Sequence, residues 1–128
     1  MYAYFNENPE LKRTGDCVIR ALSMVTGYTW DEIYIYLSVK GFLMKEWGNS
    51  NPVWEQYLRQ NGFRREVIPN TCPDCYTIRD FAEDHPNGTY VVCTGSHVVA
   101  VIDGVYYDAW DSGNEIPTYY FYKEDLNA

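Results

Sequence analysis

The sequence predicts an α+β protein with N-terminal helices packed on a C-terminal antiparallel sheet. Three observations carry this. Helix-start signals open four segments in the first two thirds. Short runs rich in Val and Tyr fill the last third. An Asp103-Gly104 pair between two such runs is a two-residue hairpin signal. At 128 residues the chain is expected to form a single domain, 1–128, large enough to hold a core without a metal or disulfide staple.

The elements follow in order. Thr14 and Asp16 are two N-cap candidates for a first helix, Val18 to Val25 supply its apolar positions, and Gly27 closes it. Thr29-Trp30-Asp31-Glu32 is a capping box for a second helix with Gly41 as its stop. Asn51-Pro52 opens a third, which runs to Gly62. Thr77 to Asp80 opens a fourth that Pro86 must end. Strands are expected at 65–68, 89–94, 97–102, 105–110 and 118–122.

Charge and composition exclude whole classes. Residues 1–79 hold nine acidic and nine basic side chains; residues 80–128 hold nine acidic ones and Lys123 alone. An acidic chain is a poor binder of phosphate backbones, so nucleic acid is excluded as a partner. No apolar run approaches the roughly 18 residues of a membrane span. The N-terminal segment has neither the basic nor the apolar region of a signal peptide. The expectation is a soluble, cytoplasmic protein with no membrane partner, in which Cys17, Cys72, Cys75 and Cys93 are reduced.

The hairpin fixes a geometry. If Asp103-Gly104 is the whole loop, Ile102 pairs with Val105, and alternation puts His97, Val99 and Val101 on one face with Tyr106, Asp108 and Trp110. His97 and Asp108 are then diagonal neighbours, close enough to hydrogen-bond. Cys17 stands at the start of the first helix, where the dipole and backbone N–H groups favour a thiolate and can hold an oxyanion. Together the three make a nucleophile, a base and its orienter. Taken singly, each has a plainer explanation: a small buried Cys, or a half-buried His at a strand start.

Three blocks carry a resemblance: Thr14-Gly15-Asp16-Cys17-Val18-Ile19-Arg20-Ala21-Leu22, His97 to Gly104, and Tyr107-Asp108-Ala109-Trp110-Asp111. They resemble the small papain-like thiol peptidase domains of bacteria and their phages, which are similar to the bacteriocin-leader (C39-like) peptidases. The likeness spans about residues 14 to 122. It implies a papain-like cysteine peptidase fold. It implies a thiol hydrolase cleaving a peptide, isopeptide or other amide bond, with Cys17 as nucleophile, His97 as general base and Asp108 as orienter. No cofactor or metal is called for. Acyl transfer and glutamine deamidation use the same chemistry and stay open. The papain pattern also has an oxyanion-hole Gln several residues before the Cys. No Gln precedes Cys17, which leaves Asn6, Asn8, Asp16 or backbone N–H groups to take its place.

The alternative function is a catalytically unproductive binding module of this fold, such as a phage or mobile-element protein that blocks a host partner. A third reading is a metal protein built on Cys72-Pro73-Asp74-Cys75, but only Cys93 and His85 remain nearby as further ligands. Arg20 is expected to form a salt bridge with an acidic residue of the sheet. His85 is expected at the surface end of the fourth helix. Asp111 is expected to point away from His97. The acidic last third is expected to form one wall of the cleft and to select a substrate presenting Lys or Arg. It reads equally well as a solvated face.

Overall fold

A computed structural model describes residues 1–12 and 15–123. The Thr14 N-cap candidate therefore lies outside the described residues. In chain order the elements are β1 (Tyr2–Tyr4), α1 (Cys17–Thr26), α2 (Trp30–Met44), α3 (Asn51–Gln60), β2 (Phe63–Val67), α4 (Ile78–Asp84), β3 (Thr89–Cys93), β4 (Val98–Ile102), β5 (Val105–Asp108) and β6 (Tyr119–Lys123). The class is α+β, with one six-stranded sheet in the order β1-β5-β4-β3-β6-β2.

The sheet is mixed, which corrects the expectation of a purely antiparallel one. β1 runs parallel to β5, with Tyr2 beside Tyr106 and Tyr4 beside Asp108, while every other neighbour pair is antiparallel. Tyr2-Ala3-Tyr4 is too short to display alternation, so nothing local announces a strand. Its partner on the sheet edge orders it: Tyr106 N donates to Met1 O at 2.9 Å and Phe5 N to Asp108 O at 2.8 Å.

The hairpin has the expected register, with Ile102 opposite Val105 and Ala100 opposite Tyr107. Asp103 and Gly104 both have positive φ, 50° and 80°, as a two-residue turn between right-twisted strands requires. The sheet is covered on both faces. Leu22, Ile33, Trp54 and Leu58 of α1–α3 close one core against Val91, Cys93, Val98, Ala100 and Phe121. Ile78, Phe81 and Ala82 of α4 close the other against Val92, Val99, Val101 and Tyr106.

The helix starts match their signals. Thr29 and Thr77 both form complete capping boxes, with Glu32 and Asp80 respectively. α3 starts one residue earlier than its Pro suggested, with Ser50 at the cap and Asn51 already helical. Asn51 Oδ1 instead accepts from Trp54 Nε1 at 3.1 Å.

Gly41 is not the stop of α2, which runs on to Met44 with Lys45 as its left-handed C-cap. The glycine is needed for close approach. A Cβ there would lie 2.7 Å from Glu46 O and 2.9 Å from the Gly48 Cα. Substituting Ala for Gly in a helix ordinarily gains about 1 kcal/mol. Here the contact is with backbone, which cannot rotate away, so overpacking at about 1–3 kcal/mol decides the sign. Gly41→Ala is expected to lower the urea midpoint. Gly95→Ala, where a Cβ meets nothing within 4 Å, is expected to leave it nearly unchanged.

Candidate active site

The structure brings Cys17, His97 and Asp108 together at the end of the sheet where α1 begins. His97 Nε2 lies 2.6 Å from Asp108 Oδ2. The Cys17 thiol lies close enough to the His97 side chain and the Val98 backbone for both to lower its pKa. The route to this arrangement differs from the expected one. Val98 and Ala100 face the α1 core, whereas Val99 and Val101 face α4. Strict alternation would therefore turn His97 away from α1. His97 instead precedes β4, in a turn where its N–H donates to Thr94 Oγ1 at 2.9 Å and Thr94 N donates to His97 O at 2.9 Å. A residue outside the ladder is freed from the pleat, so its ring reaches both partners. Trp110 packs against that ring, centroids 5.0 Å apart, although the described β4–β5 pairing ends at Ala100–Tyr107.

Asp108 is 2% exposed and is held from several sides. Besides His97, it accepts from Ser112 Oγ at 2.6 Å, Ala109 N at 2.7 Å and Arg20 Nη2 at 3.2 Å. Arg20, also buried, pairs in addition with Asp16, whose other oxygen accepts from Trp30 Nε1 at 2.9 Å. The salt bridge expected for Arg20 is thus made with Asp108, and Asp16 extends it. Ser112 had no signal in the sequence beyond lying four residues past the Asp. It arrives because the 111–115 loop is tied to α4 by Arg79 N to Gly113 O and Ile78 N to Glu115 O, both 3.0 Å. Asp111 turns from His97, as expected, and accepts from Tyr106 Oη at 2.6 Å.

These contacts set the charges. Burial pushes the Cys17 thiol up, but the hydrogen bond and charge of His97, the Val98 backbone and the Arg20 charge outweigh it, and the thiol titrates below its ordinary value. Burial pushes His97 down, yet Asp108 and Cys17 raise it to about 9. Burial pushes Asp108 up, and the hydrogen bonds from His97 and Ser112 hold it below the usual carboxylate range. Together these favour a thiolate beside an imidazolium. At Cys93 burial and the Glu55 charge outweigh the Tyr119 hydrogen bond and the Arg65 charge, and the thiol is pushed up.

Asp16 is excluded as an oxyanion donor. An ionised carboxylate only accepts, and both its oxygens are engaged by Arg20 and Trp30. It is the N-cap of α1 but makes no side-chain capping bond, so it takes none of the first-turn N–H groups. Asn6 is occupied in its own turn, accepting from Asn8 N at 3.1 Å and donating to Lys12 O at 3.4 Å. Asn8 stands on the wall of a cleft of about 1010 Å³ that also includes Gly15 and Asp16.

Cys72 and Cys75 form a disulfide, which corrects the expectation of reduced thiols. The turn at Pro73-Asp74 brings their Cα atoms to 4.1 Å. Among the described residues no three His, Cys, Asp or Glu side chains converge as ligands. His85 is half-buried rather than on the surface; its ring stacks on Phe81 at 3.8 Å and Nδ1 lies 2.7 Å from Phe81 O. No described helix is long and apolar enough to cross a membrane.

No protein-family model, curated protein or solved structure matches this chain.

The buried ions make a stability prediction. Arg20→Met takes the shared cation from two buried carboxylates and is expected to cost about 3–5 kcal/mol in urea unfolding. Arg79→Met removes a half-exposed pair with Asp111 and a hydrogen bond to Asn114 Oδ1, and is expected to lower the midpoint far less.

Proposed function

We propose that the chain is a thiol hydrolase of papain-like fold acting on a peptide, isopeptide or other amide bond. The observation that carries this is the convergence of the Cys17 thiol, the His97 ring and the Asp108 carboxylate at the start of α1. A Cys-bearing helix lying against a sheet, with His from the turn before β4 and Asp from β5, is also what supports the papain-like assignment.

In this reading the Cys17 thiolate attacks the carbonyl carbon, and the carbonyl π pair moves onto oxygen. Backbone N–H groups at the start of α1 face that oxyanion. With Nε2 held by Asp108, His97 presents Nδ1 to the sulfur and gives its proton to the departing amine nitrogen as the C–N bond breaks. The resulting thioester is attacked by water, whose proton His97 takes. The carboxylic acid leaves and the thiolate and imidazolium are regenerated. Asp108 stays ionised throughout and stabilises the imidazolium.

A second reading, an unproductive binding module, is favoured by one observation. Ile35, Val39, Phe42 and Leu43 form an exposed apolar stripe on α2, 54–70% accessible, opposite the buried Ile33 and Leu37.

Iodoacetamide separates the two. At about pH 6.5 Cys17 is expected to be alkylated at least about tenfold faster than free cysteine, because its thiol titrates below the ordinary range. The profile should rise through that lowered value and bend again near pH 9, where His97 loses its proton. Cys93 should stay unmodified. A rate equal to that of free cysteine overturns the hydrolase reading. Once a substrate is in hand, Cys17→Ala is expected to abolish turnover. Asp108→Asn is expected to cost less, since an amide still orients the imidazole.

A further inference from the structure

The cleft beside Asp16 is walled by residues 8–49, not by the acidic last third of the chain. Its floor is apolar, with Ile19 of α1 and Leu37 of α2. Four rings line it: Trp30, Tyr34, Phe42 and Trp47. Trp30 and Tyr34 stack, with centroids 5.2 Å apart and planes 18° apart, and Trp47 is 83% exposed.

The charges on the wall sort themselves. Glu10 is paired with Lys12 at 3.4 Å, and Asp16 is paired with Arg20. Asp31 and Glu46 line the same cleft and make no ion pair with a described residue. The volume, about 1010 Å³, is far larger than one side chain and suits an extended peptide segment.

The cleft is also tied to the candidate nucleophile. Trp30 Nε1 donates to Asp16, Asp16 holds Arg20, Arg20 holds Asp108, and Asp108 holds His97. Asp16 immediately precedes Cys17. One hydrogen-bonded chain therefore fixes the cleft wall relative to the thiol.

Resting on the thiol-hydrolase reading, we propose that this cleft is the substrate-binding groove and that it takes an extended peptide bearing an arginine or lysine side chain near the bond attacked at Cys17. Ring faces attract a cation through their quadrupole, and a planar guanidinium stacks on them while its edge meets a carboxylate. Asp31 and Glu46 supply that charge. An acidic side chain would meet like charge, and a neutral one would gain nothing from either solvated carboxylate.

The test uses tripeptidyl chloromethyl ketones carrying one Arg, norleucine or Glu at each position in turn. Chloride leaves as the Cys17 sulfur forms the new C–S bond. Saturation kinetics give KI, which reads the groove, apart from kinact, which reads the thiol. At one position Arg is expected to lower KI about tenfold relative to norleucine, and Glu to raise it. The advantage should shrink at high salt. In the Asp31→Asn/Glu46→Gln double variant the Arg peptide should lose most of it while KI for norleucine stays put. Trp47→Ala, at a position too exposed to matter for folding, should weaken it too. Fast alkylation with KI indifferent to charge at every position overturns the groove, as does an Arg preference that survives the double variant. Slow alkylation by every reagent, iodoacetamide included, overturns the thiol-hydrolase reading and the groove with it.

Discussion

Asp108 is a carboxylate with almost no access to water, and an isolated buried charge costs several kcal/mol. The architecture around it satisfies that demand. Arg20 arrives from α1, Ser112 from the loop pinned to α4, His97 from the turn before β4, and Ala109 N from Asp108's own neighbour. Each donor comes from a different piece of chain. The position of the His97 ring, and through it the environment of the Cys17 thiol, is a consequence of completing this one coordination. Arg20 in turn needs a second anion, and Asp16 supplies it.

This explains why the N-cap of α1 is unusual. An aspartate at this position ordinarily turns its carboxylate onto the first-turn N–H groups. Asp16 spends both oxygens on Arg20 and Trp30 instead. Helix stability is given up locally, and the ion network gains a partner. The same exchange leaves the α1 amides uncapped by side chain beside a thiol that titrates low. A catalyst needs such a pairing of polarised N–H groups with a nucleophile. The network and the proposed chemistry thus draw on one arrangement of Asp16.

Much of this was legible in short stretches. Thr29 and Thr77 declared their helices through a cap residue and an acid three positions on, interactions complete within four residues. Asp103-Gly104 declared the hairpin because the backbone of a two-residue turn demands positive φ twice. Gly41 misled for the opposite reason: a glycine reads as a stop by its flexibility, but this one serves a neighbour seven residues on, the Gly48 backbone. The Cys72–Cys75 spacing said that the two could meet, not whether they would bond to each other.

The sequence by itself determined the α+β class, the helix starts and the hairpin register, because each depends on local rules of capping and turn geometry. The tertiary structure alone decided which face of the sheet α1 covers, that β1 joins the edge in parallel, and that Arg20 and Ser112 converge on Asp108. Those outcomes are set by how separate elements share one buried charge and two cores. A residue four positions away on a loop or 88 positions away on a helix carries no mark of that shared burial in its own neighbours along the chain.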